Sequence, residues 1–348
     1  MTATASPVTR PPVQARSGGF LSRALSFLFT QEVILFLVLV VLIVLVGSAN
    51  PRYVAERNFI NILNGNAYIA VAAIGMSMVI ISRNIDISIG SLIGVLGTLS
   101  GTIAINGYPI WASWLVPIVA GALVGAVIGF LVAYLRIPAI VVTLGLLSIL
   151  KGGLITITGG AWITDLPSDY FLAQMKSPAF SFLGLNVPEI PSPILLMIIL
   201  TILAAIWMRY STTGRAIYAV GGNAEAARLS GISEKRIIMT VFIINGITAG
   251  IAAVLWATQL SIIQSTVPAG LELQIITSAV VGGVSILGGI GTTVGAMLAA
   301  ILLSAINSAL VFINISPYWF RAVVGVLILV TVLADRLRRQ RNRASERG

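Results

Sequence analysis

Two polar stretches interrupt the apolar runs of this sequence, and they carry the residue types from which functional sites are usually built. The first, SRNIDISIGS at 82–91, places Arg83 three residues before Asp86. Ionisable groups beside long apolar runs are costly, so they indicate a functional site by default. Asp86 or Ser88 would also suit the start of a helix. Two roles for Arg83 and Asp86 stay open: a structural salt bridge at a helix start, or a gate.

The second polar stretch, GRAIYAVGGNAEAARLSGISEKR at 214–236, lies between two long apolar runs. Asn223 is a suitable N-cap and Gly231 a suitable residue just past a helix end, so AEAARLS is predicted to form a two-turn helix. Its alanine surface allows other backbones to approach, and Arg228 lies at the rim. Such a helix suits insertion into a groove on another protein. The alternative is a solvated helix that connects two spans.

The residue inventory excludes most catalytic chemistry. The chain contains no cysteine and no histidine, which removes thiol chemistry, disulfides, histidine-ligated metals, Ser-His-Asp triads and histidine proton relays. Paired intramembrane aspartates are also absent from the sequence. We therefore expect no catalytic residue, no metal site and no enzyme activity on this chain.

Charge and hydropathy place the chain in a membrane. Of its 348 residues, 57% are hydrophobic and 9% are charged, against about 25% charged residues in an average soluble domain. The mean hydropathy is +1.02, and the apolar runs are continuous, which favours helices over a barrel. The predicted fold class is an all-α integral membrane protein with about ten transmembrane helices, near 33–49, 66–83, 87–106, 111–135, 138–157, 192–209, 235–258, 271–287, 291–313 and 317–335.

Basic residues predict the orientation of these spans. With the N-terminus inside, ten crossings also place the C-terminus inside, and sixteen of the 21 Lys and Arg residues then fall on the cytoplasmic side. Arg52, Arg57 and Lys176 fall outside, while Lys151 and Arg321 lie within spans near the outer face. This bias follows the positive-inside rule. The net charge of +10 is therefore attributed to membrane topology, with no nucleic acid as a partner.

Three segments are predicted along the chain. Residues 1–30 lack the apolar core of a signal peptide and are interpreted as a cytoplasmic tail. Residues 31–335 form the transmembrane domain, and 336–348 form a basic cytoplasmic tail. Within the transmembrane domain, 158–190 is the long outer loop and 210–234 is a cytoplasmic loop.

Glycine-rich stretches occur inside the predicted spans, among them GALVGAVIGF and the 282–295 segment. Small residues let helices approach closely in lipid, and hinges or unwound backbone along a pathway are the alternative role. The 271–313 region, in which the stretch GGVSILGGIGTTVG carries no charge, is compatible with a broken or re-entrant helix. A weak similarity between ISRNIDISIGSLIGVLG and VSILGGIGTTVGAMLA, each with a later span that begins at a proline (Pro138 and Pro317), leaves an internal repeat open.

Four stretches together carry a family resemblance. They are RNIDISIGS (83–91), PAIVVTLG (138–145), GGNAEAARLSGI in the cytoplasmic loop (221–232) and GGVSILGGIGTTVGA (282–296). In this order they resemble the ribose/xylose/rhamnose/autoinducer-2 branch of the permease subunits of ABC importers. The Leu-Pro ending of the general coupling motif is missing, as is common in this branch. The resemblance implies the ABC importer permease fold.

The resemblance also implies that this chain is only the membrane part of a pump. The sequence contains no G-x-x-x-x-G-K-[ST] phosphate loop, so ATP and Mg²⁺ are expected on a separate ATPase subunit and no cofactor on this chain. The cytoplasmic loop would then pass the closure of that ATPase to the spans, and 210–234 is named the coupling loop. Its expected contact residues are Asn223, Glu225, Ala226, Ala227, Arg228, Ser230 and Gly231.

Further partners follow from the same resemblance. Two permease subunits are expected to pair in the lipid of the bacterial inner membrane, as a homodimer or a heterodimer. A periplasmic sugar-binding protein is expected above them, and the outer loop 158–190 would either dock it or cap the bundle. The expected substrate is a monosaccharide, a pentose or deoxyhexose. One alternative is the import of autoinducer-2 or a nucleoside by the same mechanism. A second alternative is an ion-coupled secondary carrier, which would more often hold acidic residues at mid-membrane.

Polar side chains inside the predicted spans are the candidates for lining a substrate path. Polar groups in spans more often hydrogen-bond between helices, so both roles stay open for each of them. The candidates are Asn66, Ser91, Thr143, Asn245 and Gln274.

Overall fold

The computed structural model describes residues 30–177, 180–182, 185–187, 189–265 and 270–345, and helices dominate them. The first helices are α1 (Gln31–Ala49), α2 (Glu56–Gly65), α3 (Ala67–Ile81), α4 (Ile89–Ile105), α5 (Ile110–Ala133) and α6 (Ala139–Thr158). They are followed by α7 (Ser192–Tyr210), α8 (Thr212–Gly222), α9 (Ala224–Leu229), α10 (Glu234–Ala257), α11 (Leu271–Val281), α12 (Thr293–Phe312) and α13 (Trp319–Ser345).

The prediction of a helical multi-pass membrane protein is confirmed. Among the described residues, seven helical segments are long and apolar enough to cross a membrane: Gln31–Ala49, Glu56–Ile81, Ile110–Ala133, Ala139–Thr158, Ser192–Tyr210, Glu234–Ala257 and Thr293–Phe312. Shorter apolar helices cover Ile89–Ile105 and Leu271–Val281. Each predicted span coincides with a helix, while ten crossings and two cytoplasmic termini stay predictions.

Two predicted boundaries differ from the structure. The span predicted at 271–287 ends at Val281, because Gly283 adopts a φ of 92° and reverses the chain. Residues 282–292, here named the glycine loop, then separate α11 from α12. The last span, predicted to end at 335, lies in a helix that continues to Ser345, and the cytoplasmic tail at 336–348 stays a prediction. The predicted N-terminal tail, apart from Thr30, lies outside the described residues.

The two regions of weak sequence similarity end their first helix in the same way. At the end of α3, Arg83 has a φ of 68°, and the N–H groups of Arg83 and Asn84 donate to the carbonyls of Ile80 and Val79 at 2.9 and 3.0 Å. At the end of α11, Gly283 and Val284 donate to Val280 and Ala279 at 3.0 and 3.1 Å. Both arrangements satisfy carbonyls at the helix C-terminus. Because α9 and α12 end with the same pair of hydrogen bonds, the internal repeat stays a prediction.

Close helix packing is one role of the glycines within the spans. A Cβ on Gly121 of α5 would overlap the carbonyl oxygen of Gly246 in α10, and a Cβ on Gly246 would overlap the carbonyl oxygen of Gly121. The two backbones therefore touch, as small residues permit in a membrane protein. The tight-packing role predicted for GALVGAVIGF is confirmed at this crossing.

Short strands and 3-10 helices lie between the long helices. They are the 3-10 helices Pro51–Val54 and Ser168–Gln174 and the strands β1 (Trp162–Ile163), β2 (Phe180–Phe182), β3 (Leu185–Val187) and β4 (Ile263–Gln264). β1 pairs with β4 and β2 with β3, both antiparallel. The outer loop 158–190 is thus joined to the segment that follows α10.

Tyr170 anchors the outer loop to the helices. Its ring is fully buried, and its hydroxyl lies 2.9 Å from the Ser100 hydroxyl of α4, which in turn donates to the Ser113 carbonyl at 2.7 Å. Burial raises the pKa of Tyr170 to about 12. The loop also exposes Trp162, so a capping role and a docking surface both remain compatible with its structure.

Candidate coupling site

The helix predicted at AEAARLS is present as α9, with both predicted end residues in place. The Asn223 side chain accepts a hydrogen bond from the Ala226 N–H at 3.0 Å, as an N-cap does. At the other end Gly231 has a φ of 81°, and its N–H donates to the Arg228 carbonyl at 3.0 Å. The Ser230 hydroxyl donates to the Ala226 carbonyl at 3.0 Å. A helix of only six residues gains little stability from its own turns, so these local hydrogen bonds at its two ends stabilise it.

One side of α9 packs on the protein and the other faces outward. Ala227 is buried in the main hydrophobic core. Glu225 and Arg228 form an exposed, two-contact ion pair, with the nearest atoms 2.6 Å apart. Leu229, which sequence reasoning did not single out, is 78% exposed. The helix thus presents a charged pair and one large apolar side chain on a surface that the other described residues leave open.

A second helix, α8, joins α9 to the transmembrane helices. The Ser211 hydroxyl caps α8 by accepting from the Gly214 N–H at 2.8 Å. At its other end Gly221 lies against the end of α3, where a Cβ would overlap the Ile81 carbonyl oxygen. The same carbonyl accepts from the Gly289 N–H at 2.9 Å. The end of α8, the end of α3 and the glycine loop therefore meet with no space between them.

Tyr218 makes a further connection between α8 and the glycine loop. Its hydroxyl donates to the Gly291 carbonyl at 2.9 Å. Burial, and then the nearby Glu32 carboxylate, raise the pKa of the Tyr218 phenol, so the group stays protonated and keeps this donor. Sequence reasoning missed Tyr218 and Gly221, although both stand in the quoted stretch. The adjacent glycines of YAVGGN were the available signal for a close backbone approach.

The predicted salt bridge between Arg83 and Asp86 is wrong. Arg83 points to the glycine loop, where its Nε donates to the Leu287 carbonyl at 2.8 Å. Asp86 is 1% exposed and accepts from the Ser88 N–H at 2.9 Å, from the Ser88 hydroxyl at 2.5 Å and from the Asn245 amide at 2.8 Å. The left-handed backbone of Arg83 turns the two side chains to different neighbours.

The residues 82–88, here named the junction loop, connect four helices. The loop leads from α3 to α4, Asp86 holds Asn245 of α10, and the Ile85 carbonyl lies 3.4 Å from the Thr143 hydroxyl of α6. Asp86 binds the N–H of Ser88, the residue before α4, which is consistent with the predicted role at a helix start. The arrangement is that of a structural joint.

Among the described residues no hydrogen bond links one of the five path candidates to another, although Thr143 and Asn245 both contact the junction loop. Ser91, Thr143 and Asn245 are buried within this chain. Thr143 donates to the Ala139 carbonyl at 2.9 Å, and Asn66 donates to the Ser304 hydroxyl at 2.7 Å. Gln274 is partly exposed on α11. Asn66 and Asn245 thus bond between helices, and Thr143 bonds mainly within its own.

A helical membrane domain that holds a short capped helix against the ends of its spans agrees with the arrangement that the sequence resemblance implies for a permease. Residues 58–332 match the protein family described as "Branched-chain amino acid transport system / permease component". Because this match covers most of the chain, the protein belongs to that family of permeases.

Individual relatives agree with the family. The chain is 36% identical, over 315 residues, to "Autoinducer 2 import system permease protein LsrC" of Enterobacter sp. (strain 638), which covers 90% of this chain and 89% of the relative. It is 36% identical over 304 residues to the protein of the same name from Yersinia pseudotuberculosis serotype O:1b (strain IP 31758), covering 87% and 84%. No solved structure matches. The resemblance to the sugar and autoinducer-2 branch of ABC importer permeases is confirmed, and the chain is a transport subunit.

Proposed function

We propose that this chain is the permease subunit of an importer in which a separate ATPase drives uptake of a monosaccharide, a pentose or deoxyhexose. The observation that carries the proposal is α9, a capped helix with an exposed Leu229, connected through Gly221 to the end of α3. A rigid connection of this kind suits the transfer of rigid-body motion from a partner to the spans.

The ATPase subunit would dock on the cytoplasmic coupling loop. The basic residues assign this loop to the inside by the positive-inside rule, and the chain has no phosphate loop of its own. ATP and Mg²⁺ then belong to the partner. The residues predicted to contact the ATPase belong to α9 and its caps: Asn223, Glu225, Ala226, Ala227, Arg228, Ser230 and Gly231. We add Leu229 because its side chain is exposed. Ala227, being buried, supports α9 from beneath.

A second permease subunit and a periplasmic binding protein complete the assembly. The pair of permeases would lie side by side in the inner membrane, with both termini of each chain in the cytoplasm. The outer loop 158–190 would receive the binding protein, since it exposes Trp162 and an ion pair between Lys176 and Glu189 at 3.4 Å. The binding protein would supply much of the substrate specificity.

Autoinducer-2 is the second candidate substrate. It is favoured by the names of the relatives, which are permeases of autoinducer 2 import systems at 36% identity. A permease of the same architecture would carry either substrate in the same way, because the proposed coupling through α9 does not involve the residues that contact the substrate. Monosaccharides and autoinducer-2 therefore share one mechanism and are separated by experiment.

The test is to purify the complex that forms around the full chain and to identify its subunits by mass. ATP hydrolysis is then measured in nanodiscs with binding proteins loaded with D-ribose, D-xylose, L-rhamnose or autoinducer-2. An ATPase that copurifies and is stimulated by one loaded binding protein supports the proposal and names the substrate. A chain that purifies alone and transports under an ion gradient would instead be a secondary carrier.

A further inference from the structure

A cavity of about 450 Å³ lies between three elements that the topology predicts on the outer side. They are the C-terminal end of α2, the 3-10 helix Ser168–Gln174 and the end of α10. The volume falls within the range of small-molecule sites, about 300–1,000 Å³. We name this cavity the amide pocket after its lining residues, which are Asn61, Asn64, Gly65, Gln174, Thr258 and Gln259.

The lining of the amide pocket is polar and uncharged. Five of its six residues carry a neutral hydrogen-bonding side chain, and four of those are carboxamides. Each carboxamide offers both donors and an acceptor, which matches hydroxyl groups, since each hydroxyl also donates and accepts. A phosphate or carboxylate would find no cationic side chain in the lining. The chemistry therefore selects a neutral polyhydroxylated molecule.

One polar atom of the pocket is left without a protein partner. Asn64 Oδ1 is buried, and no described residue donates a hydrogen bond to it. Its amide nitrogen makes only a long bond, 3.4 Å, to Gln174 Oε1. Buried polar atoms without a partner are rare, so each needs an explanation. A hydroxyl group of a bound ligand would donate to Asn64 Oδ1 and remove the deficit.

Two further amides of the pocket, those of Gln174 and Gln259, are held in place by hydrogen bonds to the protein. Gln174 Nε2 donates to the Thr258 hydroxyl at 2.9 Å and to the Leu255 carbonyl at 3.3 Å. Gln259 Nε2 donates to the Asn64 carbonyl at 2.9 Å. These bonds fix the orientation of the side chains before a ligand arrives, which lowers the entropy cost of binding.

We propose that the amide pocket binds a neutral polyhydroxylated molecule, the transported sugar or polyol, at the outer end of this permease. This inference rests on the proposed function for the outer orientation of the pocket. Another cavity among the described residues, about 880 Å³, does not suit the same ligand, because mainly aliphatic residues of α13 and the glycine loop line it. In this proposal the permease itself contacts the sugar or polyol through the amide pocket, in addition to the contacts that the binding protein makes.

The absence of cysteine from the sequence allows a direct test. The N61C variant places one thiol in the lining of the pocket at an exposed position, and N106C places one on exposed backbone after α4 as the matched control. Both are made in the full chain, purified with its copurifying subunits in nanodiscs, and labelled with a maleimide in the presence of D-ribose, D-xylose or L-rhamnose. D-ribose 5-phosphate is the charged comparison.

The expected result is that at least one neutral sugar slows labelling of N61C and not of N106C, and that D-ribose 5-phosphate protects less. Replacing Asn64 or Gln259 by leucine in the N61C background should raise the sugar concentration for half-protection about tenfold, which corresponds to the loss of one hydrogen bond to a hydroxyl. N106L in the same background should leave that concentration unchanged. If N64L does not fold, Q259L carries the test.

The outcomes distinguish a failure of the pocket proposal from a failure of the proposed function. If a sugar is taken up but none of the three sugars protects N61C from labelling, the pocket proposal is wrong and the importer proposal stands. Equal protection by D-ribose 5-phosphate overturns the neutral class of ligand. Selective protection by a neutral sugar supports the pocket, even if no ATPase copurifies and the importer proposal fails.

Discussion

The coupling loop and the junction loop both interrupt apolar helices with polar residues, yet they use those residues in opposite ways. In the coupling loop the polar groups cap a short helix through neighbours in sequence, as Asn223 does for the Ala226 N–H at 3.0 Å. In the junction loop Asp86 reaches Asn245, 159 positions away, at 2.8 Å. The first loop leaves its ion pair in solvent, whereas the second buries its carboxylate.

The difference indicates that the two loops have different roles: the coupling loop is suited to binding a partner, and the junction loop to holding the helices together. A locally stabilised, exposed helix can bind a partner without disturbing the bundle. The buried Asp86 side chain joins the junction loop to α10 through Asn245, and breaking this contact would leave buried polar groups without partners, which is costly. Gly221, at the contact of α8 with the Ile81 carbonyl, links the two regions.

The largest effect is expected when that link is broken. Gly221→Leu would force the end of α8 away from the Ile81 carbonyl, since even a Cβ overlaps it, and overpacking of this kind costs about 1–3 kcal/mol or more. We expect loss of uptake and of the coupling between ATP hydrolysis and substrate, measured in proteoliposomes. Gly222→Leu is the matched control, because a Cβ there meets open space. Equal activity of the two variants would contradict the contact.

A somewhat smaller effect is expected in the junction loop. Asp86→Asn replaces one of two acceptor oxygens by a donor NH2 group, which opposes the hydrogen bond from Asn245, and a buried polar group left without a partner costs about 1–3 kcal/mol. A lower midpoint of thermal unfolding and lower abundance in the membrane are expected. Asp169→Asn, at an exposed position of the outer loop, is the control. Normal stability with lost uptake would assign Asp86 to gating.

The contrast also explains how much could be predicted from the sequence. The caps of α9 and the start of α6 after Pro138 depend on neighbouring residues, and both were predicted correctly. The partner of Asp86 was not, because a spacing of three residues suggested Arg83 and nothing local marks Asn245. Similarly, the polar lining of the amide pocket comes from three distant elements. Ten apolar runs indicate helices, but only packing decides which polar groups meet.

A smaller effect should follow from straining the end of α9 without filling any space. Gly231→Ala adds a Cβ to a residue with a φ of 81° in open surroundings, and the left-handed conformation costs about 1 kcal/mol for a residue other than glycine. We expect uptake to fall partially while the global unfolding midpoint shifts little. Gly145→Ala, in open space on α6 with ordinary φ, controls for the added methyl group.

The smallest effect on the chain itself is expected at the exposed ion pair, which makes it the sharpest probe of the partner. Glu225→Gln removes the charge pair with Arg228, whose side chains are about two thirds exposed, and such pairs contribute about 0–1 kcal/mol. Thermal unfolding of the isolated permease should therefore be unchanged. If Glu225 meets the ATPase, substrate-stimulated ATP hydrolysis should fall in the assembled complex alone. Unchanged hydrolysis would confine this pair to the solvated surface and leave Leu229 and the alanine face of α9 to make the contact.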